Sequence, residues 1–310
     1  MKRILVCGLN PAWQKTLLFS RLIPGEVNRA ENMSLIASGK GINFARAALN
    51  WGNVDLSVLH PLGGVTGDQI SESMKEEGIT SIGVSVSAAT RTCSTLMCRA
   101  SGTATEIIEP SGTILPEEYE KLMAVAEQEL KSADALAICG TYPPGIPECC
   151  YGDLAAKAAE LGKPVLLDAY KGIGDALSRG VTVLKINSGE LSAMTGCSSM
   201  EEGIRFCLNK YPLEAVAITA GKEYAMIGDR SGVVRIDVPQ IENAVNPIGA
   251  GDTCSGVFFA NYLNGSALAE AFASGLCAAT ASCMTGTPAQ YDKTVAETLL
   301  RSISVQEPKG

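Results

Sequence analysis

The chain has 310 residues, with 25 Lys and Arg against 33 Asp and Glu, a formal charge of −8, and 46% hydrophobic and 19% charged residues. This is an ordinary globular composition, in a chain long enough to bury a full core without disulfide staples. The acidic balance and the lack of any basic run argue against a nucleic-acid or membrane-surface partner, so a small anionic ligand would need a local cluster of Arg and Lys.

The opening MKRILVCGLNPAWQ reads as a first strand, because Asn10, Pro11 and Gln14 interrupt its apolar run before a signal-peptide core is complete. No later run of ~18 apolar residues suggests a membrane span. From there, short β-branched runs alternate with segments of helical period. The strand candidates are RILVCGL, LSVLH, SIGVSVS, CSTLMCRA, TEIIEP, ALAICG, PVLLDA, VTVLKIN, AVAITAG, YAMIGD and VVRIDVP. Helices are predicted in GINFARAALNWG, DQISESMKEEG, PEEYEKLMAVAEQELKSA, YGDLAAKAAELG, MEEGIRFCLNKYP, DTCSGVFFANYLNG and LAEAFASGLCAATASCM.

Such βα alternation predicts an α/β fold with a mostly parallel sheet covered by helices on both faces. Residues 12–37 and 88–112 break the rhythm with extended, turn-rich sequence, which predicts a small β element projecting from one domain spanning 1–310. Eleven cysteines, none at CxxC spacing, are expected to be reduced, mostly buried thiols in a cytoplasmic protein. The single histidine, His60, cannot build an HExxH site and is read as a loop or packing residue.

Ligands of open α/β sheets gather beyond the carboxyl ends of the strands, where several motifs of this chain fall. In NPIGAGDTCSG (246–256), Gly249, Ala250 and Gly251 open a predicted helix, so their N–H groups can converge on an anion. Asp252 in its first turn is either a helix-start acid or the base that deprotonates an attacking hydroxyl. In SGKGINFARAALNWG (38–52), Gly39, Lys40 and Asn43 form either a solvated helix start or a clamp for a hydroxylated, negatively charged substrate. In KINSGEL (185–191), Asn187 and Glu190 fit a capping box, or else a hard-cation site in which Mg²⁺ is held through water. Thr219 and Gly221 end another predicted strand, and Arg29 and Arg91 lie in or near the projecting element. With Lys40, these arginines could supply the basic cluster a sugar phosphate requires. Walker A, GxGxxG, HRD and DFG motifs are absent from the sequence.

The ordered series GKGIN, CGTYPPG, KINSGEL, ITAG and NPIGAGD resembles the ribokinase-like, PfkB-type carbohydrate kinases over essentially the whole chain. LNPAW, GEVNR, TRTCSTL, VNPIGAGD and the MTG beginning at Met284 are most similar to the 1-phosphofructokinase/tagatose-6-phosphate kinase branch. The resemblance implies a Rossmann-like body with a β-sheet lid, often a dimer clasp, and ATP- and Mg²⁺-dependent phosphoryl transfer to a sugar hydroxyl. It implies Asp252 as base, Gly249, Ala250 and Gly251 as anion hole, and Asn187 and Glu190 as organisers of metal and phosphate. Lys185, Thr219 and Gly221 would lie along the nucleotide, and Gly39, Lys40, Asn43, Arg91 and Arg29 would contact the sugar phosphate.

One position departs from the branch. Its opening usually reads NPxxD, with the aspartate on sugar hydroxyls, whereas this chain carries Gln14. A glutamine can donate and accept hydrogen bonds but brings no charge, so the difference bears on the identity of the acceptor more than on phosphoryl transfer. The readings left open are a kinase of a phosphorylated ketohexose, a kinase of a non-phosphorylated sugar or nucleoside, and a non-catalytic sugar-phosphate or nucleotide sensor.

Overall fold

The structure is a computed structural model and describes residues 1–242, 244–303 and 305–306. The elements run β1 (Lys2–Cys7), β2 (Ala12–Phe19), β3 (Asn32–Ser38), α1 (Lys40–Trp51), β4 (Val54–Leu62), α2 (Gly64–Glu76), β5 (Thr80–Ser85), β6 (Thr92–Cys98) and β7 (Thr103–Ile108). They continue with α3 (Pro116–Ser132), β8 (Ala135–Cys139), α4 (Cys150–Glu160), β9 (Val165–Asp168), α5 (Gly174–Arg179), β10 (Val183–Asn187), α6 (Ser188–Thr195) and α7 (Met200–Lys210). The last part of the chain holds β11 (Ala215–Ala220), β12 (Tyr224–Asp229), β13 (Gly232–Asp237), α8 (Ala250–Leu263), α9 (Leu268–Ser282), α10 (Lys293–Ser302) and β14 (Val305–Gln306).

The main sheet has the order β5, β4, β1, β8, β9, β10, β11, β12, β13, β14. Every pair from β5 to β11 is parallel, and the last three strands add antiparallel. Strand alternation divides the core into two layers. Leu5 and Cys7 join Leu136, Ile138 and Leu167 under α3, α4, α5 and α7. Ile4 and Val6 join Ala135, Ala137, Phe44 and Phe258 under α1, α2, α8 and α9. Each fully buried Leu, Ile, Val or Phe side chain among them contributes roughly 1.5–3 kcal/mol.

The strands all run the same way here, but the order in which the chain adds them reverses at β1, which lies between β4 and β8, and this topological switch opens a crevice at the strands' carboxyl ends. Close helix packing fixes what lines it. A Cβ on Gly256 of α8 would stand 2.4 Å from the Phe44 carbonyl oxygen of α1, and one on Gly275 of α9 would stand 2.5 Å from that of Cys254. These glycines let α1, α8 and α9 approach so closely that the first turns of α1 and α8 meet. Edge-on contacts of Phe44 with Phe259 and of Phe258 with Phe272 hold the arrangement, with ring centroids 6.5 and 5.3 Å apart.

The two segments that break the βα rhythm form a separate small sheet in the order β3, β2, β6, β7. Its centre is a parallel pair, β2 with β6, flanked by antiparallel strands. Three short helices, α5, α6 and α10, were not among the predicted helical segments, α6 being anticipated only through the capping-box spacing of Asn187 and Glu190.

All eleven cysteines are free thiols, most of them buried, and no helix of the described residues is long and apolar enough to cross a membrane. His60 lies inside β4 rather than in a loop, fully buried, with Nε2 2.8 Å from Ser81 Oγ and Nδ1 without a partner. Burial lowers its pKa from 6.5 to about 4. Between these values the unfolded chain binds a proton that the folded chain refuses, so stability falls as pH drops from 6.5 to 4, by about 3 kcal/mol in total. Urea unfolding across this range should show a steep acid dependence that His60→Leu flattens. An equal slope in both proteins would assign the dependence to other groups.

Candidate active site

The crevice at the switch point holds two cavities that share Gly39, Lys40 and Arg91. One, of about 520 Å³, lies beneath the small sheet and is lined by Gln14, Asn43, Thr95, Glu106, Gly249 and Asp252, among others. The second, of about 400 Å³, is walled by residues that follow the strands: Asn10 after β1, Thr141 after β8, Tyr170 and Lys171 after β9, and Glu190 after β10.

The glycines around the cavities have distinct tasks. Gly39 precedes α1 at φ +113°, where a Cβ would press within 3.1 Å of Pro11 Cα. Gly249 caps α8 in the left-handed region at φ 76°, and a Cβ there would crowd Ala289 N at 3.2 Å and Asn43 Nδ2 at 3.3 Å. In the first turn of α8 the Ala250 N–H donates to Pro247 O at 3.3 Å, and the first bond of the helix is Thr253 N–H to Gly249 O. The Gly249, Gly251 and Asp252 N–H groups are therefore left without intrahelical partners at the positive end of the dipole.

Asp252 is 9% exposed and accepts a 2.8 Å hydrogen bond from Asn43 Nδ2. The Asn43 amide can point only one way, because its Oδ1 accepts from Ser38 Oγ at 3.2 Å and from Arg46 Nη1 at 3.0 Å. Arg46 is itself buried, paired with Glu77 and bonded through Nη2 to the Ala37 carbonyl at 2.6 Å. Burial raises the Asp252 pKa above the ordinary carboxylate value, and the neighbouring Asp168 adds to it, against the opposing pull of Lys40, Asn43 and Lys185. A carboxylate in this state is a stronger base than one in water.

Below Asp252 lies a charge cluster centred on Asp168, the last residue of β9 and 1% exposed. Its Oδ1 accepts from Lys40 Nζ at 2.6 Å, while Oδ2 accepts from Ser255 Oγ at 2.5 Å and lies 3.7 Å from Lys185 Nζ. Burial pushes the Asp168 pKa up, but Lys40 and then Lys185 outweigh it and hold the group at about 2. Burial likewise opposes the charge of Lys40, and the carboxylates, Asp168 foremost, keep its pKa above the ordinary lysine value. Lys185, buried on β10, donates to the Gly251 carbonyl at 2.9 Å and so ties α8 to the sheet.

Asn187 and Glu190 form the reciprocal capping box of α6: Glu190 N–H donates to Asn187 Oδ1 and Asn187 N–H to Glu190 Oε2, both at 2.9 Å. Glu190 also borders the second cavity and adds to the field that keeps Lys40 charged. Thr219, on β11, sits opposite Asn187 of β10 and Ala225 of β12, and Gly221, at φ 66°, turns the chain between β11 and β12. Neither Thr219 nor Gly221 lines either cavity.

Arg91 Nη2 donates to the Asn10 carbonyl at 3.3 Å, and its buried Nε has no partner. Arg29 is exposed, lines neither cavity and makes no ion pair among the described residues, so the expected convergence of Lys40, Arg91 and Arg29 reduces to the first two. Gln14 is 5% exposed, and its Nε2 is bound to Thr95 Oγ1 at 2.8 Å. Asp168, Glu106, Tyr170 and Lys171 fall outside every motif that marks the site in the sequence. The one available signal was Asp168, an acid closing the apolar strand PVLLDA at the sheet's carboxyl edge.

Comparison with known proteins agrees with this architecture. The pfkB family carbohydrate kinase pattern matches residues 1–293. A 1-phosphofructokinase of Borreliella burgdorferi is 28% identical over 288 residues, covering 91% of this chain and 92% of the relative. The structure of Escherichia coli phosphofructokinase-2 in complex with substrates and products superposes with a TM-score of 0.88 at 22% identity, over 97% of this chain and 99% of that one. A Thermotoga maritima structure described as a possible 1-phosphofructokinase gives 0.88 at 19% identity, over 98% and 99%. With the fold shared throughout and the family pattern running through nearly all of it, the chain belongs to the pfkB family of carbohydrate kinases and is a sugar kinase.

Proposed function

We propose that this sugar kinase transfers the terminal phosphoryl group of ATP to a hydroxyl of a phosphorylated ketohexose: fructose 1-phosphate, tagatose 6-phosphate or fructose 6-phosphate. The observation that carries the reading is Asp252, a buried carboxylate at the N-terminus of α8, oriented by Asn43 and facing a cavity with Gly249 and Lys40. The activities named for the B. burgdorferi and E. coli relatives support the choice of acceptor.

In this reading Asp252 accepts the proton of the acceptor hydroxyl. The hydroxyl oxygen bonds to the terminal phosphorus as that atom's bond to the bridging oxygen breaks, and ADP leaves. The N–H groups of Gly249 and Gly251, free of intrahelical partners, hold the charge on the transferring phosphoryl oxygens, with Ala250 between them already bonded to Pro247 O. Gln14, Gly39, Lys40, Asn43 and Arg91 position the sugar, and Lys185, Asn187, Thr219 and Gly221 run along the nucleotide. Arg29, exposed and outside both cavities of the single chain, is the outlying member of the sugar-phosphate set.

The described residues contain no cluster of three metal-ligating side chains. That suits Mg²⁺ held mainly by nucleotide phosphates and water, with Glu190 contributing through water. The ion, when bound with ATP, neutralises charge on the phosphates.

The small sheet serves as a lid and as the clasp of a homodimer. Its register puts Gln14, Cys93, Thr95 and Glu106 on one face and Leu17, Met33, Leu35, Leu96 and Ile107 on the other. Of the latter, Met33, Leu35 and Ile107 are exposed, an apolar patch that a second copy would cover. Light scattering should give twice the 32.3 kDa chain mass; a monomer would remove the clasp.

ADP release with ATP and Mg²⁺ across the three sugar phosphates, free fructose and ribose tests the main reading. Preferential turnover of one phosphorylated ketohexose is expected. Turnover of free sugars alone would fit the neutral Gln14 and the carboxylate of Glu106 on the same cavity as Asp252, and would replace the reading with a kinase of non-phosphorylated sugars.

A further inference from the structure

The two cavities that meet at Lys40 differ in charge. Lys40 is matched by Asp168 beneath it, which leaves the other side chains to set each field. On the Asp252 side, Asp252 and Glu106 face Arg91 alone. On the far side, Arg91 and Lys171 face Glu190 alone. Apart from the N–H groups at the start of α8, which the transferring phosphoryl group takes, the side chains of the first field repel a phosphomonoester with nearly two negative charges and those of the second draw it in.

Two cationic groups there await a partner. Lys171 is exposed, makes no ion pair among the described residues and only passes over the ring of Tyr170, 5.5 Å from its centroid. Arg91 has the buried, unpartnered Nε, a donor whose desolvation nothing in the protein offsets. Gly39, Lys40 and Arg91 border both spaces, so a ligand whose hydroxyl lies at Asp252 can continue past Lys40 into the second cavity.

We propose that Lys171 is a specificity-determining residue: together with Arg91 it holds the phosphate the acceptor already carries, so that the acceptor spans both cavities with its hydroxyl at Asp252. This rests on the phosphorylated-acceptor reading above and adds to it a residue beyond the family motifs, from the segment AYKG that follows β9. It also accounts for a phosphorylated substrate in a chain whose Gln14 side is short of positive charge.

The test is steady-state kinetics of Lys171→Met and Lys171→Arg with the preferred sugar phosphate, with free fructose and with varied ATP. Losing a charge-assisted contact should raise KM for the sugar phosphate about 10-fold or more. The KM for ATP, the kcat and any turnover of free fructose should stay within twofold, and Lys171→Arg should recover most of the loss. Thermal melting should be unchanged, since the side chain is exposed. A KM for the sugar phosphate that does not move overturns the inference alone. A rise confined to ATP also overturns it, because the phosphate at Lys171 would then be the nucleotide's. If the unmodified enzyme turns over no sugar phosphate, the functional reading fails and the inference falls with it.

Discussion

Asp252→Asn should lower kcat by at least ~100-fold while leaving KM for ATP nearly unchanged, because general-base contributions reach that size and the nucleotide is held by other groups. The substitution preserves side-chain volume in a site where Asp252 is 9% exposed, so the backbone N–H groups at the start of α8 stay in place. It removes the one group that faces the cavity under the small sheet with both a negative charge and a fixed orientation, set by the chain from Glu77 through Arg46 and Asn43. The pH profile offers a second check. Burial raises the pKa of Asp252 above 3.8, and protonation abolishes the base, so kcat/KM should fall on the acid side with a midpoint above that ordinary value. Initial rates of ADP release with saturating ATP supply both quantities. Turnover close to that of the unmodified enzyme would take Asp252 out of the mechanism.

What the sequence made legible is what local spacing encodes. The βα alternation led directly to the parallel sheet, and GAGD and GKGIN both fall at helix starts, because glycine before an apolar period is a signal within one window. The Asn187 to Glu190 spacing was legible but ambiguous. A capping box and a carboxylate near a cation share that spacing, and the structure contains the box with Glu190 still bordering a cavity.

The rest depends on contacts between distant residues. Lys40 and Asp168 are 128 positions apart, and Gln14 and Thr95 are 81 apart. Nothing near either member announces the other. The parallel pairing of β2 with β6 was hidden for the same reason, since it joins two separate excursions from the βα series. The small sheet also lacks a clean inside-outside alternation: all of β7 is exposed, so hydrophobic period 2, the signal by which strands are read, is weak there. Helix α5, of 6 residues, is too short for its periodicity to stand out, whereas α10, of 10 residues, has a pronounced amphipathic pattern that is legible in the sequence although it is absent from the predicted helices.

Asp168→Asn should be the most destabilising conservative change in the site, costing about 2–3 kcal/mol, less than the ~3–5 kcal/mol for one side of a fully buried ion pair because Lys40 keeps 37% of its side chain exposed. Asp168 takes up the charge of Lys40 at 2.6 Å and shares that of Lys185 at 3.7 Å, and Lys185 is itself 3% exposed. An asparagine keeps one acceptor but leaves these ammonium groups without a counter-ion, except for Asp252, whose charge the mechanism needs at the acceptor hydroxyl. Denaturant unfolding at pH 7 reads the loss. The contribution has a definite pH window: the folded pKa of Asp168 is held at about 2, below the unfolded 3.8, so it is fully present above pH 3.8 and disappears as pH falls through 2. A double-mutant cycle separates charge from packing. If the cost comes from stranded ammonium groups, adding Lys40→Met to Asp168→Asn should restore part of the stability, and the two single losses should sum to more than the double loss. Additive losses, or an Asp168→Asn protein within ~0.5 kcal/mol of the unmodified one, would show that solvent reaches Lys40 and Lys185 well enough to replace the carboxylate. Activity should fall along with stability even where the protein remains folded, because Lys40 borders both cavities and its position between them is set by Asp168.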